Sequence, residues 1–175
     1  MASDYRDSHT PIDIRDLWQT PRWLFETALH GEEFAVDIAS SHLNHLCRDF
    51  ITKEQDALSF DYEPYRGKWA WCNPPYSKIK PWVELAINNQ SKYEMGTVLL
   101  LPADTSVGWF DLIVNSADDV CFITKGRISF VRADTQEPVD GNPKGSMLVY
   151  YKPESTGRLK THYINREYFM EEGFL

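Results

Sequence analysis

The stretch Trp69-Ala70-Trp71-Cys72-Asn73-Pro74-Pro75-Tyr76 constrains the fold more than any other. An unbroken apolar run needs cover on both faces, as a central strand of a parallel sheet receives it. Two consecutive prolines then end the strand, because neither can donate to a ladder. The loop that follows sits at the strand's carboxyl end, where open α/β sheets bind their ligands. Asn73, Pro74, Pro75 and Tyr76 are therefore the first candidates for chemistry.

The same pattern recurs along the chain. Gly96 to Pro102 is a second uninterrupted strand stopped by proline, and Phe34 to Ala39 a third, with Asp37 near its end. Thr20 as N-cap and Pro21 at the first helical position predict a helix carrying Trp23, Leu24, Phe25, Ala28 and Leu29, closed by Gly31. Residues 79–91 read as a helix with Pro81 in its first turn. Thr105 or Ser106 is expected to cap another that runs through Val114. Asp56-Ala57-Leu58 reads as a brief extended piece. Residues 120–123 and 127–131 are expected as strands joined by a turn at Lys125-Gly126, with a last strand at 147–151.

Early strands alternate with helices and later ones do not. This predicts an α/β class with a mostly parallel sheet and an antiparallel hairpin at one edge. A length of 175 residues suits one domain. Residues 1–17 read as a flexible arm, 18–151 as the folded domain, and 152–175 as an extension without a legible pattern.

A net charge of −8 argues against holding nucleic acid by bulk electrostatics. Local cations are still available beside the candidate segments: Lys78 and Lys80 after the proline loop, then Lys125, Arg127, Arg132 and Lys144. They are either solvated charges or contacts to a DNA backbone. No run of eighteen apolar residues exists to span a membrane, and Met1 to Asp7 lacks the apolar core of a secretory signal. The cysteines, Cys47, Cys72 and Cys121, are expected as free thiols in a cytoplasm. His42, His45 and Cys47 lack a fourth ligand at useful spacing, so no metal is expected. Cys72 lies on a buried strand before the prolines, which disfavours a covalent role.

The amide-aromatic loop suits a planar group bearing NH2. The lone pair of such a nitrogen is delocalised into its ring. Two acceptors aimed at its hydrogens, the Asn73 side-chain oxygen and the Pro74 carbonyl, favour a pyramidal nitrogen. Prolines hold them in position beforehand. Tyr76 offers a flat face for stacking.

The chain resembles the phage and prophage DNA N6-adenine methyltransferases, a small Dam-type family. The resemblance runs in order through Trp18-Gln19-Thr20-Pro21-Arg22-Trp23, Asp37-Ile38-Ala39-Ser40, Asn44, Cys47 and Asp56-Ala57-Leu58. It continues through Asn73-Pro74-Pro75-Tyr76, Pro81-Trp82-Val83, Leu99 to Pro102, Trp109-Phe110, Gly126 to Phe130 and Gly145-Ser146. It implies a Rossmann-like fold, S-adenosylmethionine as cofactor and double-stranded DNA as partner. It also implies methyl transfer to an adenine flipped out of the stack, and a monomer in a bacterial host cytoplasm.

By the same resemblance, Asn73, Pro74, Pro75 and Tyr76 form the catalytic loop. Thr20, Pro21, Asp37, Ile38, Ala39, Asp56 and Ala57 bind the cofactor, and Tyr76 with Phe130 clamps the target base. Asp37 also reads as a structural cap, Asp56 as a solvated acid and Phe130 as a core residue. The same loop occurs in methyltransferases of RNA guanine N2 and of protein glutamine. A non-catalytic binding module of this fold is the reading from another class. One departure bears on the cofactor pocket: no glycine lies between Gly31 and Gly67, where most methyltransferases carry a glycine-rich turn.

Overall fold

The computed structural model describes residues 18–139 and 144–171, so the arm expected over 1–17 lies outside them. The chain runs β1 (Trp18–Gln19), α1 (Arg22–Thr27), β2 (Phe34–Asp37), β3 (Asp49–Phe50), β4 (Trp69–Cys72) and α2 (Lys80–Tyr93). It continues with β5 (Gly96–Pro102), α3 (Gly108–Ser116), β6 (Asp119–Thr124), β7 (Phe130–Arg132), β8 (Pro138–Val139), β9 (Ser146–Tyr151), β10 (Lys160–Asn165) and α4 (Arg166–Glu171).

Seven strands form the main sheet in the order β10-β6-β9-β5-β4-β2-β3. β2, β3, β4 and β5 are parallel neighbours, and β10 is parallel to β6. β9 alone opposes both of its neighbours, β5 and β6. Six strands therefore share a direction, and their carboxyl ends define one edge. The central strands are apolar because they are covered on both faces: every residue of β4 and β9 is buried.

One core lies under α2 and α3, built from Val83, Ala86, Leu99, Leu101 and Ile113 among others. The other lies under α1 and contains Leu24, Trp69, Trp71, Leu100, Leu148, Phe130 and Phe169. Burying an aliphatic or Phe side chain of this kind contributes about 1.5–3 kcal/mol. Gly96 is fixed by space: a Cβ there would lie 2.5 Å from the Trp69 ring, its partner across the β4–β5 ladder.

Four local expectations are corrected. Pro21, not Thr20, is the N-cap of α1, and its carbonyl accepts from the amides of Leu24 and Phe25. Ser106 donates to Asp104 instead of capping α3, whose N-cap is Val107. Asp56 to Ser59 is a turn, not an extended piece, with Asp56 at φ 53°. The fourth concerns topology. The antiparallel strand, β9, sits inside the sheet, and residues 120–131 make no edge hairpin. β7 leaves the main sheet and joins β1 and β8 in a small antiparallel sheet of three strands. Positive φ at Lys125 (57°) and Gly126 (135°) turns the chain there.

Candidate functional site

β4 delivers Asn73 to the carboxyl edge, and Pro74 and Pro75 end the ladder there. Asn73 is half-buried and Pro74 buried. No described residue shares a hydrogen bond with the Asn73 amide or claims the Pro74 carbonyl. Among the described residues these two acceptors have no partners, and the backbone that carries them is stiffened by proline. The loop closes with the Lys78 amide donating to the Pro75 carbonyl at 3.1 Å. Tyr76 is 37% exposed, while burial around its hydroxyl, and then Cys72, push the phenol above the ordinary tyrosine range.

Phe130 comes to this loop through the small sheet, not through a hairpin. Its ring meets Tyr76 edge to face at 6.4 Å and stacks on Trp18 at 6.0 Å. It is only 4% exposed. The two aromatics proposed to clamp a base are therefore neighbours, and one face of Phe130 is covered by the Trp18 indole.

Asp37 ends β2, next to β4 and in register with Trp71. Parallel neighbours lie about 4.8 Å apart, so the loop after Asp37 and the loop after Cys72 leave the sheet side by side. Asp37 is 2% exposed. Its carboxylate accepts from the Ala39 and Leu46 amides at 3.3 and 3.1 Å, which folds residues 38–46 back over the edge. Here a side chain organises the turn that a glycine-rich sequence would form by backbone alone. Burial nevertheless raises the Asp37 carboxyl to about 6. Two amide donors do not replace the lost water, and a cationic ligand would relieve the deficit. Ile38 donates its amide to the Trp71 carbonyl at 2.9 Å.

Thr20 follows β1 and is 2% exposed, with its hydroxyl oxygen unpartnered. The Trp18 indole nitrogen, two residues earlier and so on the same strand face, is also buried without a partner. Buried polar atoms are nearly always satisfied, and among the described residues these two are not. Sequence reasoning missed Trp18 as a donor; its alternation with Thr20 was the available signal. Asn44 and Gln19 were missed as braces. The Asn44 side-chain oxygen accepts from the Ser41 amide at 2.7 Å, while Gln19 donates to the Asn44 and His45 carbonyls. They tie β1 to the loop that Asp37 organises.

Asp56 is exposed in the turn after β3, holding the Ser59 hydroxyl and the Leu58 amide. Ala57 is buried, and its carbonyl accepts from the Tyr62 hydroxyl at 2.9 Å. His45 stacks on Phe50 at 4.0 Å, and its Nδ1 meets the Cys47 carbonyl. Among the described residues no group of three or more His, Cys, Asp or Glu is placed to hold a metal. Burial, with Asp37 beside it, pushes the Cys72 thiol up, so it is no thiolate at neutral pH.

The candidate DNA-backbone cations are dispersed along the edge. Lys80 pairs with Glu84, Lys125 with Glu167, Arg132 with Asp134, and Lys144 with Asp104. Lys78 is exposed and makes no ion pair among the described residues. The Arg127 carbonyl accepts from Arg166.

Residues 7–175 match the family described as DNA N-6-adenine-methyltransferase (Dam). A "DNA N-6-adenine-methyltransferase" of Haemophilus phage HP1 is 36% identical over 171 residues, covering 96% of this chain and 97% of the relative. One of Escherichia phage T1 with the same name is 32% identical, covering 91% and 73%. No solved structure matches the chain.

Proposed function

The chain belongs to the DNA N-6-adenine-methyltransferase (Dam) family, and on that premise we propose that Asn73-Pro74-Pro75-Tyr76 is the loop at which it methylates adenine N6 in DNA. The observation that carries the assignment is the pair of unclaimed acceptors at the end of β4, next to the accessible ring of Tyr76. The sheet order and its single opposed strand agree with a Rossmann-like methyltransferase fold.

The exocyclic nitrogen of adenine is a weak nucleophile. The Asn73 Oδ1 and Pro74 carbonyl oxygen accept from its two hydrogens and localise its lone pair. Tyr76 stacks on the base, and Phe130 supports it from the edge. A duplex adenine must leave the helix to reach this loop, which favours base flipping. No base is needed before transfer, since the proton can pass to solvent afterwards.

S-adenosylmethionine, when bound, supplies an electrophilic methyl group. The residues present fit it: a buried, under-satisfied carboxylate at Asp37 suits its ammonium, and the unpartnered Thr20 hydroxyl suits a carboxylate. We assign Pro21, Ile38 and Ala39 to the same end of the cofactor, and Asp56 and Ala57 to its adenine end. Holding nitrogen and methyl at roughly 3–3.5 Å supplies most of the rate gain. The enzyme acts as a monomer on double-stranded DNA in the host cytoplasm. No described helix is long and apolar enough to cross a membrane.

The test is transfer of tritiated methyl from S-adenosylmethionine to unmethylated DNA, followed by nucleoside analysis. Label in N6-methyladenine is expected, and label confined to RNA or protein acceptors would overturn the reading. Asn73→Ala should lower transfer by about 10²–10³-fold while cofactor binding survives.

A further inference from the structure

We propose that Arg166 anchors a DNA phosphodiester, an assignment that rests on the DNA-methylating function above. β10 runs parallel to β6, with Asn165 opposite Thr124, so Arg166 leaves the sheet at the same edge as Lys125, Gly126 and Arg127. The guanidinium lies flat on Gly126. A Cβ at that position would meet its Cζ, Nη1 and Nε at 3.0–3.2 Å. Nη1 donates to the Arg127 carbonyl at 2.8 Å, which fixes the plane of the fork. Nε is buried and has no hydrogen-bond partner among the described residues.

No described carboxylate lies within ion-pair distance of Arg166, although four of the six other cations considered for this edge are paired. The acid next in sequence, Glu167, is taken by Lys125 at 2.8 Å. The result is a half-buried, oriented guanidinium with no direct ion pair among the described residues, in a chain of net charge −8. Among the described residues only Nη1 has a hydrogen-bond partner, which leaves Nη2 of the fixed fork for a phosphodiester, a group that needs a cation held in place and not merely nearby. A swinging lysine would lose more freedom on binding.

Its position suits the reaction. Four strand spacings separate β10 from β4 in the sheet order, which is roughly 19 Å at about 4.8 Å each. That distance is about five to six nucleotides along one strand. Arg166 also holds the segment that reaches Phe130 three residues later, so the contact would fix the duplex and the aromatic beside Tyr76 in one frame.

The test is the salt dependence of binding. Fluorescence anisotropy would follow a labelled unmethylated duplex with a non-transferable cofactor analogue present. R166Q should reduce the slope of log K against log salt by about 1 and weaken binding several-fold at physiological salt. R166K should keep the slope while losing part of the affinity. K68Q, at the opposite end of β4, should match the parent protein. A parental slope in R166Q would overturn the proposal, because a purely structural latch moves melting temperature and turnover but not ion release. If R166Q melts early, its slope is compared with that of R166K at a temperature where both are folded, and equal slopes again overturn it. A parent protein that transfers no methyl group to DNA overturns the functional reading instead, so the two failures are distinct.

Discussion

Two buried aspartates sit at opposite ends of the same sheet and are treated differently. Asp118, at the amino end of β6, is 1% exposed, and both of its oxygens are fully occupied. Oδ1 accepts from the Ser155 hydroxyl and the Thr156 amide, and Oδ2 from the Gln90 amide group and the Lys152 backbone. Burial alone would raise its carboxyl, but these four donors hold it below the usual carboxylate range. Asp37, at the carboxyl end of β2, is as little exposed but lies deeper, and has two amide donors; burial wins and raises it to about 6. One end of the sheet is closed chemically, and the other is left incomplete where a cationic ligand would complete it. Low surface exposure therefore says little about role: Asp37 lies deeper than Asp118 and has fewer donors, and both differences push its carboxyl up.

The contrast is broken most severely at the closed end. Asp118→Ala would strand the Lys152 and Thr156 backbone amides and remove the acceptor of the Ser155 hydroxyl, and should cost about 3 kcal/mol or more in urea unfolding. It should leave the cofactor dissociation constant nearly unchanged in the folded protein. Asp37→Ala should do the reverse. Cofactor affinity, read by calorimetry, should fall by about 30-fold or more, as for a lost charge-assisted pair. The stability loss should be less than half that of Asp118→Ala. Comparable losses in both variants would erase the distinction.

Their titrations should also run in opposite senses. The folded-state carboxyl of Asp37 lies above its ordinary value of 3.8, so its ionisation opposes folding increasingly from pH 3.8 up to about 6. Asp118 lies below its ordinary value, so its contribution is present at neutral pH and disappears as pH falls through the acid range. On the proposed pairing of ionised Asp37 with the cofactor's ammonium, affinity should be about tenfold weaker at pH 5 than at pH 7. The smallest expected effect is at Lys80, whose exposed pair with Glu84 spans 3.7 Å. Lys80→Gln should change stability by at most about 0.5 kcal/mol.

The strands at 69–72 and 96–102 and the proline loop are legible in the sequence because unbroken apolar runs and prolines act locally. The placement of Phe130 is not. Its segment alternates like a strand, but its partner is Trp18-Gln19, more than a hundred positions upstream. No local pattern reveals that pairing. β10 escapes for another reason: it is an edge strand whose residues are only exposed or half-buried, so its apolar signal is weak. Asp37 is visible as a strand-end acid, but its under-satisfaction depends on Leu46, nine residues later. Arg166 lies in the same weakly patterned region as β10, and its seat on Gly126 exists only once that strand has docked.

The inserted strand β9 also sets an order of assembly. Before residues 146–151 emerge from the ribosome, β5 and β6 have no common neighbour, and β5 presents an unpaired apolar edge. Both halves of the sheet must therefore wait for a segment made about fifty residues after β5. Such non-local closure slows folding and leaves the nascent chain open to association with other chains. A chain interrupted before Ser146 would retain the Asn73-Pro74-Pro75-Tyr76 loop and Asp37 but lack the strand that joins the sheet's two halves.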